Sequence, residues 1–190
     1  MEVAEISTSA VTKNKTLDMV YCAMFAVLIA ICAWISIPTI VPFSMQTFGV
    51  FVAVGTLGGK RGSISVFIYL LLGIIGIPVF TGFAGGLGIL LGKTGGYMMG
   101  FLFSALFMWA MEKVIGKRKG ALAFSMVLGL IVCYVFGTLW FMVIYGNSAG
   151  EVGVMTALSW CVFPFIIPDI LKILLALVVC RRLAKIIKSN

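Results

Sequence analysis

Six apolar runs of helix length succeed one another along this chain, and each must be hidden in a protein core or dissolved in lipid. They are Leu17–Ile37, Thr47–Leu57, Ser63–Ile77, Gly95–Val114, Ala121–Tyr145 and Trp160–Ile187, the last interrupted by Pro164 and Pro168. A helix that crosses a bilayer needs about 20 predominantly apolar residues. A soluble domain would have to cover so much apolar chain with charge. Here 62% of the 190 residues are hydrophobic and 11% charged, with a mean hydropathy of +1.20. The expected fold is therefore an all-α integral membrane protein of six transmembrane helices, a polar tail at 1–16 and one membrane domain at 17–190. Met1–Thr16 carries Glu2 and Glu5 where a cleavable signal would be basic, so the first run is read as a retained helix.

Thr47–Leu57 gives only roughly 20 Å of helix, against an apolar bilayer core of about 30 Å. Either this helix thins the bilayer, or the loop before it dips inward. Irregular backbone at membrane depth survives only where protein or a water-filled cavity receives it. On the second alternative Pro38–Gln46 lines a cavity.

Charge gives an independent reading of the topology. With six crossings, both termini and the connections after the second and fourth helices share one side. That side collects Lys13, Lys15, Lys60, Arg61, Lys113, Lys117, Arg118, Lys119, Arg181, Arg182, Lys185 and Lys188, twelve of the 14 Lys and Arg. The opposite loops hold Lys93, and Lys172 lies within the sixth helix. Short basic loops stay cytoplasmic, so both termini are expected there. The net charge of +8 then reports topology rather than a nucleic-acid surface.

Several chemistries are disfavoured. The chain has no histidine, the commonest metal ligand and general base. Its five cysteines (Cys22, Cys32, Cys133, Cys161 and Cys180) are odd in number, form no CxxC pair and lie in apolar runs. They read as small buried hydrophobes rather than disulfides or metal ligands. Gly92-Lys93-Thr94 is not a phosphate loop, because Leu87 stands where that motif needs its first glycine. No catalytic residue, metal or cofactor is expected.

The residues able to recognise a ligand cluster toward the outer side. One loop carries Pro42-Phe43-Ser44-Met45-Gln46-Thr47, and a second runs from Phe80 through Gly85 and Gly86 to Gly92-Lys93-Thr94-Gly95-Gly96-Tyr97. A third, from Gly146 to Ser159, holds Glu151. In the sixth run Asp169 and Lys172 are three apart and share a helix face. A charge within a span costs about 2.5–3.5 kcal/mol, and such residues mark functional sites. Pro168 frees a carbonyl beside them. Gln46, Ser44, Thr94 and Tyr97 are expected to supply neutral hydrogen bonds. Asp169 would accept from an N–H, and Lys172 would meet a carboxylate or carbonyl. Gly85 and Gly86 allow close backbone approach, and Phe43, Phe80, Phe83 and Trp140 offer apolar walls.

Taken in order, Pro42–Thr47, the Gly59–Gly62 turn, Gly73-Ile74-Ile75-Gly76-Ile77-Pro78-Val79-Phe80, Gly92–Tyr97 and Pro164–Lys172 resemble the BioY family. These are the biotin-specific S components of energy-coupling-factor (ECF) vitamin transporters. The resemblance spans most of 17–187. It implies an S-component-like bundle in the bacterial plasma membrane that captures biotin from outside, with biotin as cargo and not cofactor. It also implies a membrane coupling subunit and a cytosolic ATPase pair. Small residues four apart on the first helix, here Ala26 and Ala30, would contact the coupling subunit. The family's loop usually reads Gly-Pro-Thr-Gly-Gly-Tyr, and Lys93 departs from it. An S component for thiamin or riboflavin, and a self-sufficient ion-coupled carrier using Asp169 and Lys172, are the alternatives. A lipid-modifying enzyme is a further class, without a base to serve it.

Overall fold

The computed structural model describes residues 2–38, 41–116, 120–149 and 153–188. Lys117, Arg118, Lys119 and Glu151, invoked above for topology and for the third outer loop, lie outside the described residues. The chain is helical almost throughout: α1 Glu2–Trp34, α2 Gln46–Leu57, α3 Gly59–Ile74, α4 Leu87–Leu91, α5 Gly95–Ile115, α6 Ala121–Ala149, α7 Val154–Cys161 and α8 Phe163–Lys188. Two short strands, β1 Ser36–Ile37 and β2 Phe43–Ser44, pair antiparallel between α1 and α2. A 3₁₀ turn covers Thr81–Phe83.

Each apolar run became a helix, but among the described residues four reach spanning length, within Lys15–Trp34, Gly95–Ile115, Ala121–Gly146 and Phe163–Leu183. α2 and α3, of 12 and 16 residues, are shorter. The shortness of α2 has a packing explanation. It is sandwiched among α1, α3, α5 and α8, and Gln46, Thr47 and Gly49–Val54 are all buried. Its surroundings are protein, so the loop before it is free to fold inward as the β1–β2 hairpin. Of the two accommodations the sequence allowed, the cavity-lining loop is found: Val41, Pro42, Ser44 and Gln46 face a cavity.

Three boundaries differ from expectation. α1 begins within the segment read as a polar tail, and it stops at Trp34 rather than Ile37. Pro38 biases the residue before it toward extended backbone, and Ile37 pairs with Phe43 instead. The sixth run is two helices, broken at Val162 (φ −126°, ψ −56°), with Trp160 on α7. Pro164 does not interrupt α8 but sits in its first turn, where no amide donor is needed. Pro168 lies inside α8.

The outer faces of the long helices are aliphatic: Met19, Val27, Val135, Leu139, Ile167 and Leu171 are all exposed. Apolar surface this continuous is not left facing water in a monomeric soluble protein, whereas lipid tails solvate it. The core holds Ile29, Phe51, Val66, Tyr69, Phe80, Met108, Met126 and Phe141. Ala26 and Ala30 are buried there too, at 1% and 4% exposure. This corrects the expectation that they face a coupling subunit: their small size lets α1 approach α2 and α3 within the molecule.

Candidate functional site

Phe165, Asp169 and Lys172 are spaced four and three apart on α8, so one face of that helix presents all three. α2 lies along this face and brings Gln46 and Thr47 from its first turn, while β2 delivers Ser44. The Asp169 and Lys172 side chains are buried to 4% and 6% exposure and joined at 2.7 Å. Two charges this far from water are tolerable only if their remaining hydrogen-bonding capacity is met.

It is met in large part by groups far away in sequence. The Lys172 ammonium donates to Asp169 Oδ1 at 2.7 Å, to the Ser44 carbonyl at 2.7 Å and to Thr47 Oγ1 at 3.3 Å. Its Nζ also lies 4.1 Å from the Phe43 ring centroid. Asp169 accepts on Oδ1 from the Thr47 hydroxyl at 3.3 Å and on Oδ2 from the Tyr134 hydroxyl at 2.5 Å. A carboxylate has about four acceptor positions, so one remains after Lys172, Thr47 and Tyr134. A second chain of bonds adjoins this one. Gln46 Oε1 accepts from the hydroxyls of Ser44 (2.8 Å) and Thr81 (3.0 Å), and Gln46 Nε2 donates to the Tyr69 hydroxyl at 2.6 Å. An amide nitrogen carries two hydrogens, which leaves Gln46 one more to donate.

Both networks border a cavity of about 220 Å³. Its polar side is Ser44, Gln46, Thr47, Thr81, Asp169 and Lys172, and Met98, Phe101 and Phe165 are among its apolar walls. Thr94 and Tyr97 line it from the start of α5, Tyr134 from α6 and Cys161 from α7. The arrangement suits a small, largely apolar molecule with a compact hydrogen-bonding head offering both N–H and C=O groups.

Six of the residues expected to recognise a ligand meet here: Ser44, Gln46, Thr94, Tyr97, Asp169 and Lys172. Four do not line the cavity. Phe43 stands behind Lys172 and stacks on Phe165 at 6.0 Å. Trp140 donates its indole N–H to the Gly92 carbonyl at 3.0 Å, bracing the loop rather than facing a ligand. A Cβ on Gly96 would fall 2.2 Å from the Trp140 Cβ, so glycine there admits the indole. Gly85 and Gly86 serve backbone geometry: a Cβ on Gly85 would sit 2.6 Å from the Ile77 carbonyl, and Gly86 has φ +98°. Of the other aromatics offered as walls, Phe80 is buried against Tyr69, and Phe83 stacks on Trp34 at 5.0 Å.

Tyr134, Thr47, Tyr69 and Thr81 were not among the expected site residues. Thr47 and Thr81 lay in quoted loop motifs, whose composition was a usable signal. Tyr134 sits in an otherwise apolar helix and carried none.

The sequence profile of the BioY family matches residues 6–189. The chain belongs to the BioY family. Among relatives, the probable biotin transporter BioY of Pyrococcus horikoshii is 36% identical over 173 residues, covering 90% of this chain and 97% of that protein. The biotin transporter BioY of Thermotoga maritima is 35% identical over 173 residues, covering 89% and 96%. A crystal structure of the S-component for biotin from an ECF-type ABC transporter superposes with a TM-score of 0.81 at 30% identity, covering 91% of this chain and 93% of that one. Membership of BioY thus reaches across the cavity-forming elements, α2 through α8.

Proposed function

We propose that this chain is the biotin-binding S component of an ECF transporter. It captures the vitamin from outside the cell and delivers it through a separate coupling subunit and ATPase pair. The observation that carries the reading is the pair of unfilled positions at the polar end of the cavity: one acceptor position on Asp169 and one donor on Gln46. The ureido ring of biotin offers N–H donors flanking a carbonyl, which complements them. Met98, Phe101 and Phe165 then face the sulfur-containing ring and the start of the aliphatic tail. No step makes or breaks a covalent bond, and the protein acts as a binder, not an enzyme.

In this reading all six apolar helices cross the plasma membrane, and both termini face the cytoplasm. α2 and α3 are short because the first is wrapped by protein and the pair is joined by a tight turn on the basic side. The cavity opens on the opposite, sparsely charged side. Biotin is favoured over thiamin and riboflavin by the family membership.

Labelled biotin binding to the purified protein tests this directly, alongside thermal unfolding with biotin, thiamin or riboflavin. A ligand bound by the folded state alone raises the melting temperature. Biotin is expected to bind and stabilise, with binding lost in Asp169→Asn and Lys172→Ala. Undiminished binding in both variants would reject the site. Stabilisation by thiamin or riboflavin in place of biotin would reassign the ligand.

A further inference from the structure

Biotin ends in a carboxylate, and the cavity does not answer it. Lys172 has three ammonium protons, and Asp169, the Ser44 carbonyl and Thr47 take them at 2.7, 2.7 and 3.3 Å. A ligand carboxylate placed there would dismantle that set and stand beside the Asp169 charge. At about 220 Å³ the cavity is also smaller than the roughly 300–1,000 Å³ typical of small-molecule pockets. A fused ring head fills such a space, and the flexible tail has to leave by the mouth.

Next in sequence to the cavity lining stands Lys93. It precedes Thr94, which lines the cavity and forms the N-cap of α5. The Lys93 side chain is exposed, and its Nζ rests 4.6 Å from the centroid of the Tyr145 ring. Tyr145 stacks on Phe141 at 5.1 Å and meets Trp160 edge-on at 6.0 Å. Trp160 in turn neighbours Cys161, which lines the cavity from the other side. Among the described residues the ammonium is therefore held by a cation–π contact alone, a weak hold at an exposed site. The N-terminal end of the 21-residue α5 adds positive potential at the same point. Of the 14 Lys and Arg, Lys93 is the one in the loops opposite the basic face.

We propose that Lys93 forms an anion subsite at the cavity mouth, exchanging the Tyr145 ring for the carboxylate at the end of the ligand's tail. The inference rests on the biotin reading above. It predicts that this chain discriminates the free acid from neutral derivatives by means of one side chain outside the enclosed cavity.

The test compares biotin with biotinamide, whose tail end is uncharged, on the purified full chain and on Lys93→Gln and Tyr145→Leu. A charge-assisted contact of this kind is worth about tenfold or more in affinity. The unmodified protein is expected to prefer biotin by about that factor. Lys93→Gln should lose it for biotin alone, and Tyr145→Leu should retain the preference. Equal loss for both ligands in Lys93→Gln, matched by Tyr145→Leu, would overturn the subsite and make Lys93 a brace for the loop. Unchanged biotin affinity in Lys93→Gln would overturn it as well. Failure of the unmodified protein to bind either ligand would instead strike the biotin reading on which the subsite stands.

Discussion

Two ion pairs of almost the same length behave as opposites in this molecule. Asp169 and Lys172 meet at 2.7 Å with side chains 4% and 6% exposed, whereas Asp18 and Arg61 meet at 2.8 Å with 38% and 47% exposed. The first pair lies in the wall of the cavity, with Thr47, Tyr134 and the Ser44 carbonyl completing its hydrogen bonds. The second bridges α1 and α3 at the basic end, where water competes for both partners. Distance is nearly shared, so the difference lies in solvation. Buried charges are costly unless well partnered, whereas exposed ones are free to pair without much consequence. The same geometry is a buried part of the cavity wall at one end and a weak tether at the other.

The largest effect should come from halving the buried pair. Lys172→Met leaves Asp169 charged, buried and short of a partner, a situation that costs about 3–5 kcal/mol. A large fall in melting temperature in detergent, together with loss of labelled-biotin binding, is expected. Replacing both partners, Asp169→Asn with Lys172→Met, removes the uncompensated charge. It should recover much of the stability while binding stays lost. If the double variant unfolds as early as the single one, the solvation argument fails.

Next in size is Tyr134→Phe. It deletes one hydrogen bond to the carboxylate and leaves the ring in place. Hydrogen bonds to charged groups contribute about 1.5–3 kcal/mol, so a measurable drop in denaturation midpoint is expected. If Asp169 turns its freed oxygen toward the ligand, biotin affinity will fall less than stability does, and isothermal titration separates the two.

Glu112 offers an intermediate case, since it accepts from the Gly59 N–H at 2.5 Å and so favours the start of α3. Charge at a helix N-terminus contributes about 0.3–1 kcal/mol, so Glu112→Gln should lower the unfolding midpoint slightly and leave biotin affinity unchanged. The smallest effect belongs to Arg61→Ala. An exposed pair contributes about 0–1 kcal/mol, and that contribution should shrink further as salt is raised. A loss of biotin binding in Arg61→Ala would show instead that the two ends are energetically coupled.

Much of the site was readable before folding because its residue types were out of place. Asp169 and Lys172 are anomalies in an apolar run, and Gln46, Ser44 and Thr94 are polar residues crowded beside glycine and proline. Tyr134 was not readable, because a tyrosine in an apolar helix is unremarkable until the carboxylate it meets, 35 residues on, is known. Trp140 and Phe43 fall outside the cavity lining for a related reason. Aromatic character predicts that a residue will be covered, but not whether by ligand or by protein. Ala26 and Ala30 show the same ambiguity on α1: small side chains license close approach without naming the neighbour.

By itself, then, the sequence determined the helices, the lipid-facing composition and the presence of buried charge. These follow from local and additive quantities such as hydropathy, proline placement and charge spacing. Tertiary structure alone decided that α2 is the wrapped centre of the molecule, that α8 breaks from α7 at Val162, and which side chains complete the Asp169–Lys172 pair. Hydrogen bonds reach about 3 Å and their partners here lie up to 128 residues apart, so no local pattern along the chain encodes them.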